Sequence, residues 1–333
     1  MIQDCYRIVG KHYNFHSIGM KLHTIGQAGS TLTSFSVYAS YKKIADLSVM
    51  KKIILLSFSF FLLICGFAQD KPAYVLYNAN GKKVKYSKMI KTLVQNDIVM
   101  IGELHNNAIS HWMELAVTKD CKEKRSLVLG AEMFEQDNQQ ALDNYLQGKL
   151  SAKGLDSAAR LWKNYPTDYA PLVNFAKENN IVFAATNIPR RYASMVSKGG
   201  FEALDTLSNT TKSWIAPLPI AYDSTLPGYT KMVTMMAGHG TPNMIRAQAS
   251  KDATMAHFIL KYFVPGSLFI HYNGSFHSEN HDGIVWYLKQ ARPELKIITV
   301  TTVTQKDIKK LQDENKHLAD FIICVDEDVT NTY

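Results

Sequence analysis

Four short apolar runs, each halting at a cluster of polar residues, constrain the fold more than any other feature of this chain. Ile98-Val99-Met100-Ile101 stops at Gly102-Glu103-Leu104-His105, and Leu127-Val128-Leu129 stops at Gly130-Ala131-Glu132. Ile181-Val182-Phe183-Ala184-Ala185 stops at Thr186-Asn187, ahead of Pro189, and Ser267-Leu268-Phe269-Ile270 stops at His271-Tyr272-Asn273-Gly274. Helical patterns occupy the intervals near 108–119, 136–146 and 168–180, the last with Leu172, Phe175 and Ala176 on one face. Continuous apolar runs mark strands buried on both sides, so the pattern predicts an α/β fold, a mostly parallel β-sheet flanked by helices. Further runs at 74–77, 296–300 and 321–325 extend the sheet. The stretch 200–263 differs: it is rich in Pro, Thr, Ser and Tyr to about 241, then helical with Ala, Met and Phe on one face. It is expected to form a helical insertion or lid beside the sheet.

The N-terminal part reads as dispensable. Met50-Lys51-Lys52, an apolar stretch over 53–67 and Gly66-Phe67-Ala68 form the basic, apolar and small-x-small sequence of an export signal. Met50 is then the expected start, residues 1–49 are non-native upstream translation, 50–68 is the signal peptide, and 69–333 is a single exported domain in the periplasm or envelope. Leu62-Leu63-Ile64-Cys65 resembles a lipobox, but bulky Ile64 stands where a small residue is expected, so cleavage near Ala68 is favoured over a lipid anchor on Cys65. The whole chain carries 37 basic and 29 acidic residues; residues 1–68 hold 7 and 2 of them, which leaves 30 − 27 = +3. No concentrated basic face remains, which argues against a nucleic-acid partner. Cys121 and Cys324 are the two cysteines left, too few for a disulfide framework, although export would allow them to pair.

In a parallel sheet, ligands gather outside the carboxyl ends of the strands. That edge is where Glu103, His105, Glu132, Asn187 and His277 fall, so two carboxylates, an amide and two imidazoles are expected on one rim. Glu103 and His105, two apart on a loop, can polarise a water or share a metal; as a bare pattern Gly-x-x-His is also an ordinary solvated turn. Glu132 directly behind a buried strand needs a partner, and Arg190 is a candidate for a structural salt bridge. His277 and His281 are four apart, which would put both on one helix face facing a metal, but Asn273-Gly274-Ser275 argues that His277 still lies in a loop and His281 faces solvent. The group from Met232 to Met244 could line a flat apolar ligand or be plain helix core. Tyr222, Tyr229, His239, Tyr262 and His271 are all iron ligands by chemistry. Gly274-Ser275-Phe276 lacks the serine-hydrolase elbow, and no Gly-rich phosphate loop is present.

With these residues placed, the chain resembles the ChaN-type haem-binding, iron-regulated family, in the wider group that includes Tiki proteases and erythromycin esterase. The likeness runs from about residue 97 to 300. It is carried by Ile101-Gly102-Glu103-Leu104-His105, Ala131-Glu132-Met133-Phe134, Asn187-Ile188-Pro189-Arg190, Gln248-Ala249-x-x-x-Asp252-Ala253-x-Met255-Ala256 and Asn273-Gly274-Ser275-Phe276-His277. The resemblance implies an exported haem- or porphyrin-binding protein in iron or haem acquisition, able to form a homodimer that clasps cofactors between subunits. Asn187, Arg190, Tyr222, Tyr229 and His239 are its cofactor-binding candidates, with a tyrosine as the family's iron ligand. Behind that reading it implies the alternative of a metal-dependent hydrolase, with Glu103, His105, Glu132 and His277 catalytic and His105 and His277 holding a divalent metal such as zinc or manganese.

Overall fold

A computed structural model describes residue 47 and residues 49–54, 71–235 and 241–333. The chain divides into two units, Met1–Asp70 and Lys71–Tyr333. In the first, the described residues are helical; most of the expected export signal, with Cys65, lies outside the described residues, as does His239 in the second unit. No helix among the described residues is long and apolar enough to cross a membrane.

Among its described residues the second unit holds seven strands: β1 (Tyr74–Asn78), β2 (Ile98–Glu103), β3 (Leu127–Glu135), β4 (Val182–Asn187), β5 (Leu268–Gly274), β6 (Ile297–Gln305) and β7 (Phe321–Asp326). Ten α-helices accompany them: α1 (Tyr86–Leu93), α2 (Ala108–Lys122), α3 (Gln139–Leu146), α4 (Ala152–Ala158), α5 (Ala170–Glu178), α6 (Arg190–Gly199), α7 (Asn209–Lys212), α8 (Pro227–Met235), α9 (Pro242–Tyr262) and α10 (Ile284–Ala291). The strands form one sheet in the order β1-β7-β6-β2-β5-β3-β4, and only β1 at its edge runs antiparallel to its neighbour. The expected α/β architecture is therefore present.

Both faces of the sheet are covered, which explains the unbroken apolar runs. Val99 and Ile101 of β2 point to one side and pack with Met89 and Leu93 of α1, Met113 and Val117 of α2, and Leu172 and Val173 of α5. Ile98 and Met100 point to the other, against Met255, Ala256 and Ile259 of α9 and Ile284 and Leu288 of α10. Each such aliphatic side chain, wholly withdrawn from water, contributes about 1.5–3 kcal/mol. The second cluster revises the expectation for 200–263. Its helical C-terminal part, α9, is one of the helices that cover the sheet, because Met255, Ala256 and Ile259 form an apolar stripe one turn long. The stretch before it packs on helices instead: Leu204, Ile215 and Ile220 cluster with Tyr192 and Val196 of α6 and Ala247 of α9, and Tyr229 of α8 packs on Ile245 and Ala249 of α9. Cys121 and Cys324 are buried free thiols in separate core clusters, so the pairing that export would allow is not made.

A glutamate–histidine rim at the carboxyl edge

The chain places β5 between β2 and β3, and this topology builds the site. Gly274 at the end of β5 stands in register with Glu103 at the end of β2, and the turn that follows carries His277. On the other flank of β5, the pairing of β3 with β4 slips between Ala131 and Glu135. Such an irregularity re-aims side chains, and Glu132, which lies within it, accepts the Gly274 backbone N–H at 2.8 Å. Two glycines permit the close approach. A Cβ on Gly102 would stand 3.0 Å from the Ser275 backbone, and one on Gly274 would stand 2.9 Å from the His105 ring and 3.5 Å from Glu132 Oε2. The structure thus brings Glu103, His105, Glu132 and His277 to one edge, linked in two hydrogen-bonded chains.

The first chain contains Glu132. Its Oε1 lies 3.2 Å from His277 Nε2. His277 Nδ1 makes a short bond to Asp252 Oδ1 on α9, and the Tyr229 hydroxyl of α8 donates to Asp252 Oδ2 at 2.8 Å. Gln248, one helical turn before Asp252, sets its amide against the imidazole at 2.9 Å. Burial alone would strip His277 of its proton, but Glu132 and Asp252 on its two nitrogens outweigh that and push it up to about 10. Burial likewise disfavours the Glu132 carboxylate, yet His277 and then His105 hold it well below the usual carboxylate range. The counter-charge of Glu132 is therefore His277. Arg190, the partner expected from sequence, is exposed and lines a different cavity of about 1130 Å³ with Arg160, Trp162 and Tyr333. His277, expected from sequence as a metal ligand with His105, presents each of its nitrogens to a carboxylate, Nδ1 to Asp252 and Nε2 to Glu132.

The second chain starts at Glu103, whose Oε1 accepts from the Tyr169 hydroxyl at 2.7 Å and meets His105 Nδ1 at 2.6 Å. The His105 side chain is 38% exposed, the most accessible of the four rim groups, and Trp162 packs edge-on against its ring. Burial opposes its charge, but Glu103 and Glu132 prevail and raise it. Behind Glu103 stand His111 and Glu114, on α2, a helix whose N-terminus Asn107 caps by accepting from the N–H groups of Ile109 and Ser110. His111 Nδ1 lies 3.3 Å from Glu103 Oε2 and 3.4 Å from Glu114 Oε2. Against the effect of burial, these carboxylates lift His111 to about 11, and His105 and His111 hold Glu103 down to about 2. Glu114 goes the other way: burial and the Glu103 charge favour its protonated form.

The remaining candidates have other duties. The Asn187 amide N–H donates to the Glu132 backbone carbonyl at 3.0 Å and steadies that irregular strand. Tyr229 is buried and its hydroxyl donates to Asp252, and burial together with that carboxylate pushes the phenol's pKa up. Tyr222 sits between Phe201, which it meets edge-on, and the tilted ring of Tyr229. His271 lies within the sheet between Thr186 and Asn273, and burial drives it down to about 4, so it is a neutral structural histidine. His281 contacts Asp320 rather than the rim. Outside Gln248 lies a hollow of about 450 Å³ lined by Met232, Met235, Met244, Ala247, Lys251 and Phe276. Met235 and Met244 are exposed there, while Met232 also packs on the small core of Tyr229, Ile245 and Ala249. None of Asn187, Arg190, Tyr222 and Tyr229 borders this hollow.

A model of the family described as haem-binding uptake, Tiki superfamily, ChaN, matches residues 89–288. Among solved structures, ChaN of Campylobacter jejuni with cofacially bound haem is similar at 18% identity over 77% of this chain and 98% of its own, with a TM-score of 0.57. A Bacillus cereus protein aligns at 10% identity over 76% of this chain and 94% of its own, with a TM-score of 0.45. An erythromycin esterase mutant in its open conformation aligns at 9% over 76% and 97%, with a TM-score of 0.46. No curated protein matches.

Proposed function

We propose that this chain, which belongs to the ChaN family of haem-binding uptake proteins in the Tiki superfamily, binds haem or a related porphyrin in the methionine hollow beside the rim. The observation that carries the reading is the lining of that hollow. Met232, Met235, Met244 and Phe276 offer adaptable apolar contact to a flat macrocycle, and Lys251 supplies a cation for a propionate. A porphyrin laid on this open surface keeps its second face uncovered, and a second copy of the chain would cover it, in keeping with a homodimer that clasps cofactors. Haem is then cargo, and the role is iron or haem acquisition by an exported protein in the periplasm or envelope. Translation from Met50 with cleavage near Ala68 would deliver it there; N-terminal sequencing of the exported product should begin near Gln69, or at Cys65 if a lipid anchor is used.

One observation favours a second reading, a metal-dependent hydrolase. Asp252, His277 and Glu132 form a buried chain beside His105, whose Nδ1 is tied to Glu103 while its ring stays partly open to solvent. Such an arrangement can hold and move a proton at His105. The two readings separate on protein purified from its own host. A Soret band at one haem per chain or per pair of chains supports uptake. Colourless protein carrying stoichiometric zinc or manganese, and hydrolysing esters or peptides, replaces it with the hydrolase.

A further inference from the structure

Behind the rim, Glu103, His111 and Glu114 form a cluster that the two readings above leave without a role. Their exposures are 2%, 7% and 0%. Two carboxylates this deeply buried need a cation or a proton between them. Glu103 Oε1 is taken by His105 and Tyr169, and what the two carboxylates share is one imidazole nitrogen, His111 Nδ1, at 3.3 and 3.4 Å. Both contacts are longer than the 2.7–2.9 Å usual for a charged N–H···O bond. Glu103 Oε2 and Glu114 Oε1 make no hydrogen bond at all. The other nitrogen settles the orientation of the ring. His111 Nε2 lies 3.0 Å from the His105 carbonyl and 3.4 Å from Asp168 Oδ2, both acceptors, so it carries a hydrogen. In the singly protonated ring, the Nδ1 lone pair then points at two carboxylates, an arrangement that calls for a positive charge between the three.

We propose that His111 Nδ1, Glu103 Oε2 and a Glu114 carboxylate oxygen form a binding site for a divalent transition-metal cation of the zinc or manganese class. Ligand atoms from the three side chains lie within 4.8 Å of one another. One neutral imidazole and two carboxylates carry a charge of −2, which a divalent cation cancels inside a buried volume. Mixed imidazole and carboxylate donors suit these ions better than the all-oxygen shells that calcium and magnesium take. The hydrogen bond from Nε2 to a carbonyl is the outer-sphere support that metal-bound histidines use to hold their tautomer and direction. Glu103 would then join the ion to His105, since its Oε1 contacts His105 Nδ1. The site differs from the His105–His277 pair expected from sequence and stands independently of haem binding.

The test uses the full chain, free of haem by absence of a Soret band, stripped with a chelator and dialysed separately against zinc and manganese. Elemental analysis should find one ion per chain for at least one metal. Glu114→Gln, which keeps the side chain's shape, should lower retention at least tenfold, whereas Glu132→Gln should retain the ion. Because Glu114→Gln could unfold the chain, a zinc-soaked crystal of the unaltered protein gives the second readout: an anomalous peak among His111, Glu103 and Glu114. Stripped protein that retains neither metal would show that a shared proton occupies this position, and the proposal would fall. A peak beside His277, or loss of metal on Glu132→Gln with retention on Glu114→Gln, would overturn it as well.

Discussion

Replacing Asp252 by Asn tests the reading of His277 as a permanently charged imidazolium. In the fold His277 is pushed up to about 10 from an ordinary 6.5, a difference worth on the order of 4–5 kcal/mol. Glu132 and Asp252 share that stabilisation as the two carboxylates on the ring, so Asp252→Asn should remove about 2 kcal/mol of it. A further loss of about 1 kcal/mol, independent of pH, should come from the Tyr229 hydroxyl, whose acceptor becomes an amide. The sign follows from the direction of the shift. A histidine raised in the fold contributes its full stability below pH 6.5 and loses it as pH climbs toward 10. The variant, with Glu132 still in place, should keep His277 raised to roughly 8–9. The stability gap between the two proteins should therefore hold at about 3 kcal/mol up to roughly pH 8 and shrink to about 1 kcal/mol near pH 10. Urea unfolding of both proteins from pH 6 to 10, with NMR titration of His277, measures it. A gap that does not change with pH would refute the imidazolium assignment.

Gly274→Ala should drive a methyl into the His105 ring, where only 2.9 Å is available. We expect a loss of about 1–3 kcal/mol in urea unfolding and a His105 pKa falling back toward its ordinary value as the ring leaves Glu103. Met235→Glu places a charge on an exposed wall of the hollow; haem affinity followed by Soret titration should drop at least tenfold, about 1.4 kcal/mol, with an unchanged melting temperature. Arg125→Ala removes a guanidinium that donates to the carbonyls of Val94, Asn96, Gly266 and Ser267. A destabilisation of about 2–4 kcal/mol should result, read by thermal melting, with haem binding intact below the new transition.

The strands and their polar stops were legible because strands buried on both faces leave continuous apolar runs, and because parallel strands all end on one edge. Glu103, His105, Glu132 and His277 could be named on that ground alone. Their order could not: β5 enters between β2 and β3 after 80 intervening residues (268 − 187 − 1), and nothing local encodes that neighbour choice. Asp252 and Gln248 lie four apart on α9 and were visible as a motif, but their role depends on α9 lying over the rim. His111 and Glu114, three apart on α2, carried a spacing signal that went unused, because it gains meaning only when the first turns of α2 lean on Glu103. Arg190 misled by adjacency. It opens α6 and faces solvent, while Asn187, three residues earlier, turns inward to Glu132. Met232, Met235 and Met244 could be placed only once α8 and the start of α9 were seen to border a hollow.

A structure of the haem-loaded protein, with iron located by its anomalous signal, tests the central claim most directly. The account predicts iron in the hollow between α8 and α9, against Met232, Met235, Met244 and Phe276, with a propionate toward Lys251. Iron seated instead in the arginine-lined cavity of Arg160 and Arg190, or a chain that takes up no haem at stoichiometric concentration, would contradict it.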